Sequence, residues 1–333
     1  MVKNNVNDIS VIIPMYNAEN TIISLLEDLK IQNFKKVEYL IIDDGSTDHS
    51  QEKVKTFIQS TGDIRFKLFS QSNQGVSIAR NLGIKYATGR YIIFIDSDDR
   101  LSSNFLTEYF KLISNTKADI AVFPINVSYI QNGIQKNRII NNYFLLKDEC
   151  TAKDLATKII EGYMGAYLYA YIFKRSLWKK VGFNKNVAYK EDFLALFNIL
   201  KNNPNCKIAT GDTAYYWYSE NNGLTKSYSE KRINDGIYVE NEILRINNDF
   251  IDYGTIIYSC MVADLEAINF GINNKNKYIY EKYSAEYLQL IKHAHFSNFK
   301  LKIKRIIQGI FLRTHIYKYI YKKMKRVKNE SKI

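Results

Sequence analysis

Three acidic clusters hold most of the chemistry that this sequence can do. Asp96, Ser97, Asp98 and Asp99 follow directly on the apolar run Tyr91-Ile-Ile-Phe-Ile95. Asp43 and Asp44 close a second such run, Val37 to Ile42. Glu191 and Asp192 stand just ahead of Phe193, Leu194, Leu196, Phe197 and Leu200. Carboxylates at the end of a buried strand are unfavourable unless positive charge neutralises them. A divalent cation does this readily. Asp oxygens are hard ligands for Mg2+ or Mn2+, and such ions keep waters and share the phosphates of a substrate. The first pattern therefore points either to a metal that clamps a nucleotide diphosphate or to an acidic turn that caps the next helix. The Glu191-Asp192 pair reads as a helix N-terminus, where the macrodipole favours ionised carboxylates. An ionised, fixed carboxylate is also what a general base requires.

The elements that position these groups alternate along the first hundred residues. Ile9 to Pro14 reads as a strand, Thr21 to Lys30 as a helix and Val37 to Ile42 as a strand. A helix running to Ile58 follows, capped by Asp48 or Ser46. Arg65 to Phe69 is then a strand, Val76 to Ala87 a helix and Tyr91 to Ile95 a strand. Such a run predicts a mostly parallel sheet with helices on both faces. Ligands bind at the carboxyl ends of such strands, where Asp43, Asp44 and Asp96 to Asp99 lie. There is no G-x-G-x-x-G and no Walker A lysine, which disfavours dinucleotide oxidoreductases and P-loop enzymes. Further along, Ala118 to Ile125 is strand-like, and residues 126–142 form a hairpin or loop. A helix spans Thr151 to Glu161 with Thr151 as its cap, and Ile208 to Trp217 is an aromatic-rich strand.

Four segments, in order, carry a resemblance to a known family. They are Ser10-Val-Ile-Ile-Pro-Met-Tyr-Asn17, Asp43-Asp-Gly-Ser-Thr-Asp48, Asn73-x-Gly75 with Ala79-Arg-Asn81-x-Gly83, and Asp96-Ser-Asp-Asp99. Together they resemble the signature of family 2 glycosyltransferases over roughly residues 8–220. The resemblance implies an α/β GT-A fold, an inverting mechanism and a nucleotide-sugar donor. It further implies that Pro14, Tyr16, Asp43 and Asp44 line the base and ribose pocket, with an Asp carboxylate accepting from the uracil N3–H. Arg80 would reach the base or phosphates, Asp96 and Ser97 the ribose or metal, and Asp98 the metal. Asp99 caps the helix from Ser102 to Ile113 in the simpler reading. Asp192 would be the general base, with Glu191 beside it, and Lys226 and Ser227 would lie over the diphosphate. Where many relatives have glycine before the acidic pair, this chain has Tyr189-Lys190.

A chain of 333 residues is long enough for one large domain and an appendage. Residues 1–227 are expected to form the catalytic domain, 228–296 a helical appendage and 297–333 a basic amphipathic helix. Three widely spaced cysteines suggest a reduced, cytoplasmic setting. No signal peptide is expected, and no apolar run reaches the ~18–20 residues that span a bilayer. The net charge of +13 implies anionic partners. Much of it falls in Lys300 to Lys328, which holds eleven Lys and Arg and no acid. Ile303, Ile306, Ile307, Ile310, Phe311, Tyr317, Ile320, Tyr321, Met324 and Val327 recur there at helical spacing. That pattern reads as an interfacial helix on an anionic membrane surface, or as a helix packed on the domain or a solvated basic tail. Nucleic acid is disfavoured because no nucleic-acid module accompanies the tail. His293 and His295, without cysteines nearby, do not form a zinc motif.

Together these readings give a metal-dependent transferase. It would move a sugar from a UDP-sugar to a hydroxyl of a lipid-linked or polymeric cell-surface glycan, at the inner face of the membrane. Two alternatives follow from the same residues. A nucleotidyltransferase of related fold would need a Gly-rich basic loop that Met15 to Asn20 lacks. A non-catalytic membrane scaffold would tolerate loss of Asp98 and Asp192.

Overall fold

The computed structural model describes residues 7–131, 134–140, 150–212, 216–219, 229–296 and 299–330. The chain forms two compact units. The first comprises Met1–Leu155 with Met164–Gly223, the second Ala156–Tyr163 with Leu224–Ile333.

The first unit opens with β1 (Ile9–Met15), α1 (Ile22–Lys30), β2 (Val37–Asp43), α2 (Ser50–Thr61), β3 (Phe66–Ser70), α3 (Val76–Tyr86) and β4 (Tyr91–Phe94). Every residue of β1, β2 and β4 is buried. Strands covered on both faces read as near-continuous apolar runs; here Ser10 and Glu38 alone interrupt Ile9–Ile13, Val37–Ile42 and Tyr91–Phe94. After them come β5 (Arg100–Leu101), α4 (Phe105–Thr116), β6 (Ile120–Val122), β7 (Ile125–Gln131), β8 (Ile134–Ile140) and α5 (Ala152–Ile160). Then follow β9 (Tyr171–Lys174), α6 (Glu191–Asn202), β10 (Ile208–Thr210) and β11 (Tyr216–Ser219). The seven-stranded sheet has the order β10-β6-β9-β4-β1-β2-β3. It is parallel except at β9, which runs antiparallel to β4 and β6. A second sheet, β5-β11-β7-β8, contains the hairpin expected in 126–142. Thr151 caps α5 as expected, accepting from Asp154 N at 3.1 Å while the Asp154 carboxylate accepts from Thr151 N.

Two details set the spacing of the parallel layers. A Cβ on Gly83 would stand 2.3 Å from Ile12 Cγ2, so glycine lets α3 lie directly on β1. Glu38 on β2 is buried and fully used. Its Oε1 accepts from Ser10 Oγ (2.6 Å), Thr88 N (2.7 Å) and Thr88 Oγ1 (2.7 Å), and its Oε2 from Lys67 Nζ (2.8 Å). Burial alone would raise its pKa. The Lys67, Ser10 and Thr88 donors outweigh burial and hold it below the ordinary value. One carboxylate thus ties β1, β2, β3 and the turn before β4 together.

The second unit contains α7 (Glu230–Ile246), α8 (Tyr253–Asn273), α9 (Lys277–Leu290), α10 (Phe299–Arg313) and α11 (Tyr317–Glu330). The basic C-terminal stretch, read from sequence as a single helix, is broken in two at 314–316, where His315 has φ +58°. Among the described residues α8 alone is long and apolar enough to cross a bilayer, although no such run stood out in the sequence. It is a core helix instead: 83% of its most apolar stretch is buried, and Met261, Leu265, Ile268 and Ile272 pack with Ile279, Tyr283 and Tyr287 of α9.

Asp264, also on α8, is buried, and no described residue hydrogen-bonds its Oδ2. Burial, then the neighbouring Glu286, push its pKa from 3.8 up to about 8, against the pull of Lys282. The folded state therefore holds this proton where the unfolded chain has lost it. Stability must fall as pH rises through that window. Asp264→Asn is expected to remove this slope and to raise stability at pH 8 by roughly 2 kcal/mol. Urea unfolding at pH 5 and pH 8 measures it, and an unchanged pH slope in the variant would contradict the assignment.

Candidate active site

The carboxyl ends of β1, β2 and β4 are stitched into one rim. Asp43 Oδ1 accepts from Ser46 N (3.1 Å) and its Oδ2 from Gln51 Nε2 (2.9 Å). Asp44 is buried and accepts three bonds: from Gln71 Nε2 (2.7 Å), Gln74 N (2.9 Å) and Gly75 N (2.7 Å). Gly75 begins α3 with φ +92°, a conformation open to glycine, and so turns its N–H onto Asp44. Asp44 thus holds the loop that launches α3, and with about four lone-pair positions its carboxylate keeps one acceptor position for a ligand. Asn17 joins the first two loops, donating N–H to Ser46 Oγ (3.0 Å) and accepting from Thr47 N (2.8 Å). Pro14 is buried beside this loop, and Tyr16 is 48% exposed at its edge.

Arg80, on α3, is the centre of the site. Its guanidinium donates from Nη1 to Glu191 (3.0 Å) and Asp192 (2.6 Å), and from Nη2 to Asp96 (3.1 Å). The Phe183 ring lies 5.4 Å from its Cζ. Side-chain exposure rises outward, from 5% at Arg80 through 14% at Glu191 and 22% at Asp192 to 32% at Asp96. Burial disfavours the Arg80 charge, but Asp192, Asp96 and Glu191 outweigh it and raise its pKa. Three carboxylates share this one guanidinium, so the site keeps an excess of negative charge.

Asp192 occupies the first turn of α6, where the helix N-terminus favours a carboxylate. Burial raises its pKa. Arg80 opposes that shift, Glu191 and Asp96 reinforce it, and the result lies above the ordinary carboxylate range. The residue ahead of the acidic pair, Lys190, has φ +63°. The loop therefore adopts the left-handed turn that glycine would favour, with a lysine in the place.

The Asp96 to Asp99 turn separates into two functions. Asp99 is buried and accepts from the hydroxyl of Tyr216 on β11. That hydroxyl in turn accepts from Asp96 N (3.4 Å). Tyr216 is itself fully buried and stacked on Tyr169, with ring centroids 4.5 Å apart. Asp99 and Tyr216 thus fasten the turn, whereas Asp96, Ser97 and Asp98 are partly open. The Asp98 carboxylate accepts from its own backbone N–H, and no cation among the described residues pairs with it. Burial, then the charge of Asp96, raise its pKa. A carboxylate pair with one member unneutralised is the donor chemistry of a hard divalent cation. Among the described residues no three His, Cys, Asp or Glu side chains form a metal cage.

The structure thus brings Arg80, Asp96, Glu191 and Asp192 together and sets Asp43 and Asp44 at the end of β2, across β1 from β4. Lys226 and Ser227 lie outside the described residues. Sequence reasoning missed Tyr216 and Phe183. The aromatic character of Ile208 to Trp217 was visible, but nothing local showed which ring meets the acidic turn.

A mostly parallel sheet with carboxylates at the ends of β2 and β4, on either side of β1, and a helix-borne acidic pair beside them has the architecture of the GT-A fold. The chain belongs to glycosyltransferase family 2. The profile of glycosyl transferase family 2 matches residues 10–175. WfgD of Escherichia coli, a UDP-Glc:alpha-D-GlcNAc-diphosphoundecaprenol beta-1,3-glucosyltransferase, is 30% identical over 244 residues, 72% of this chain and 89% of WfgD. Glycosyltransferase GlyA of Streptococcus pneumoniae serotype 4 is 40% identical over 114 residues, which cover 34% of this chain and only 16% of GlyA. The crystal structure of S. aureus TarS 1-349 in complex with UDP-GlcNAc has the same fold. Its TM-score is 0.68 at 21% identity, over 96% of this chain and 92% of that one.

Proposed function

We propose that this protein is an inverting, metal-dependent hexosyltransferase. It moves a sugar from a UDP-sugar to a hydroxyl of a lipid-linked or polymeric cell-surface glycan. One observation carries the reading: Arg80 joins the acidic pair at the start of α6 to Asp96 at the end of β4. A candidate base and the donor end of the sheet therefore share one cluster. The acceptor named for WfgD is lipid-linked, and TarS was crystallised with UDP-GlcNAc, which supports the choice of donor and acceptor class.

In this reading Asp192 removes the proton from the acceptor hydroxyl. That oxygen attacks the anomeric carbon from the face opposite UDP, so the configuration inverts without a covalent enzyme intermediate. Glu191 and Arg80 hold Asp192 in place. Pro14, Tyr16 and Asp43 line the nucleoside pocket, and the remaining acceptor position on Asp44 takes the uracil N3–H. Asp96 and Ser97 face the ribose. Mn2+ or Mg2+ at Asp98, with Asp96 beside it, would supply charge neutralisation of the departing diphosphate. A cytoplasmic setting beside the inner face of the membrane belongs to the same reading.

A donor panel tests the assignment. UDP-, GDP- and CMP-sugars are incubated with the protein in Mn2+ or in EDTA, and nucleotide binding and release are followed. One UDP-sugar is expected to bind and hydrolyse slowly in a metal-dependent way. Asp98→Asn is expected to lower that release about 100-fold, the scale of losing one charge-stabilising contact. Failure to bind or release any nucleotide would overturn the transferase reading.

A further inference from the structure

We infer that α10 and α11 form a bilayer-docking surface for anionic lipid, in which Ile303, Ile306, Ile307 and Ile310 enter the interface and the surrounding lysines contact headgroups. The inference deepens the membrane-surface reading and rests on it.

Packing within the second unit uses one face of α10. Arg305 and Leu312 are buried there, and the Arg305 carbonyl accepts from Tyr287 Oη (3.2 Å). Gly309 lies against Ile291 and Leu288, where a Cβ would stand 3.2 Å from Ile291 Cδ1 and 3.7 Å from Leu288 Cδ2. In α11, Tyr317 is buried and donates to Asn269 Oδ1 (3.1 Å), while Tyr321 accepts from Asn273 Nδ2 (3.0 Å) and Lys325 Nζ reaches Asn273 Oδ1 (2.9 Å). These contacts fix both helices on α8 and α9.

The isoleucines take no part in that packing. Ile303, Ile306 and Ile307 are each 41% exposed and Ile310 is 52% exposed. At 100° per residue they fill an arc of roughly 100° opposite Arg305, Gly309 and Leu312. Lys302 and Arg313 fall on one flank of the arc and Lys304 on the other, and all three are exposed. The apolar residues of this stretch therefore serve two surfaces. Tyr317, Tyr321 and Phe311 face the unit's own core, and the four isoleucines face outward. Exposed Lys318, Lys322, Lys323 and Lys325, with Met324 61% exposed, extend the cationic zone along α11.

Charge selects the occupant. An apolar strip edged by cations matches a bilayer whose headgroups are anionic and whose interior takes isoleucine. A second copy would bring the same cations face to face. Nucleic acid would pair with the lysines and leave the isoleucines in water.

The test uses the full chain without donor or acceptor, so its outcome is independent of the transfer chemistry. Cosedimentation is compared with vesicles of phosphatidylcholine alone and with vesicles holding 30% phosphatidylglycerol. Binding is expected only to the anionic vesicles. Ile306→Asp with Ile310→Asp, and separately Lys322→Glu with Lys323→Glu, are each expected to weaken it at least about tenfold. Ile64→Asp, on a 90% exposed isoleucine of the first unit, should leave it unchanged. Circular dichroism and UDP-sugar hydrolysis should be unaltered in all variants. Equal binding to neutral vesicles overturns the inference. So does loss with the lysine pair but not the isoleucine pair, or isoleucine-dependent self-association in solution.

Discussion

Asp192→Asn is expected to slow transfer to the acceptor by roughly 1,000-fold while leaving UDP-sugar affinity within a few-fold, the loss typical of a missing general base. Asparagine keeps the shape of the side chain and an oxygen for Arg80 Nη1, which Asp192 now engages at 2.6 Å. What it loses is the capacity to accept a proton. The wild-type carboxyl has its pKa raised by burial, with Glu191 and Asp96 adding to burial and Arg80 opposing it. A raised pKa makes a stronger base, closer to the range in which proton removal from a hydroxyl is effective. The sign is fixed: the wild-type rate should rise with pH through that raised value, and the residual rate of the variant should not follow the same curve. Single-turnover product formation, beside calorimetric donor binding, separates the chemical step from binding. Retention of transfer within tenfold would remove Asp192 from the role. A parallel collapse of donor affinity would instead make it part of the nucleotide pocket.

Arg80→Met should cost about 3–5 kcal/mol of stability, because it leaves Asp96, Glu191 and Asp192 crowded without their cation. Methionine replaces the bulk of the side chain, so the loss reports charge rather than a cavity. Arg80→Lys should fall between the two. A single ammonium cannot bridge Asp96 on one side and Glu191 with Asp192 on the other as the planar fork does. The sharper test adds Glu191→Gln to Arg80→Met. If the penalty is electrostatic, neutralising one carboxylate returns part of the lost stability. If the double variant is less stable than the single one, the Arg80 stem and its contact with Phe183 matter more than its charge. Urea unfolding midpoints give all four values on one scale.

The strands and the acidic turns were legible in the sequence because their signals are local. Ile9 to Pro14, Val37 to Ile42 and Tyr91 to Ile95 are mostly apolar, interrupted only by Ser10 and Glu38, and the last two end abruptly in carboxylates. What was not legible depends on distance along the chain. Arg80 meets partners 111 and 112 residues away, and no periodicity encodes that encounter. The same holds for Tyr216 and Asp99, 117 residues apart. Adjacent acids also proved unequal for reasons the sequence does not carry. The Asp98 carboxylate meets only its own backbone N–H among the described residues, while Asp99 is held by a buried tyrosine. Lys190 gave the opposite lesson. Its departure from the family pattern was visible, yet its backbone keeps the left-handed turn. The C-terminal apolar residues looked like one face by spacing. Only packing showed that they divide between the unit's interior and its surface.

Tyr216 belongs to the second sheet, whereas the acidic turn it fastens leaves the first. Together with β5, which follows Asp99 directly and pairs antiparallel with β11, that hydroxyl makes the turn mechanically continuous with β11 and, through its parallel pairing, with β7 and the hairpin beyond. In the proposed reading, the stiffness that a nucleotide would meet at Asp96 and Asp98 is set in part by strands that carry none of the reacting groups. Sequence change in the hairpin would then tune how tightly the diphosphate end is gripped, without altering any carboxylate. Donor affinity would diverge among chains that share an identical acidic turn.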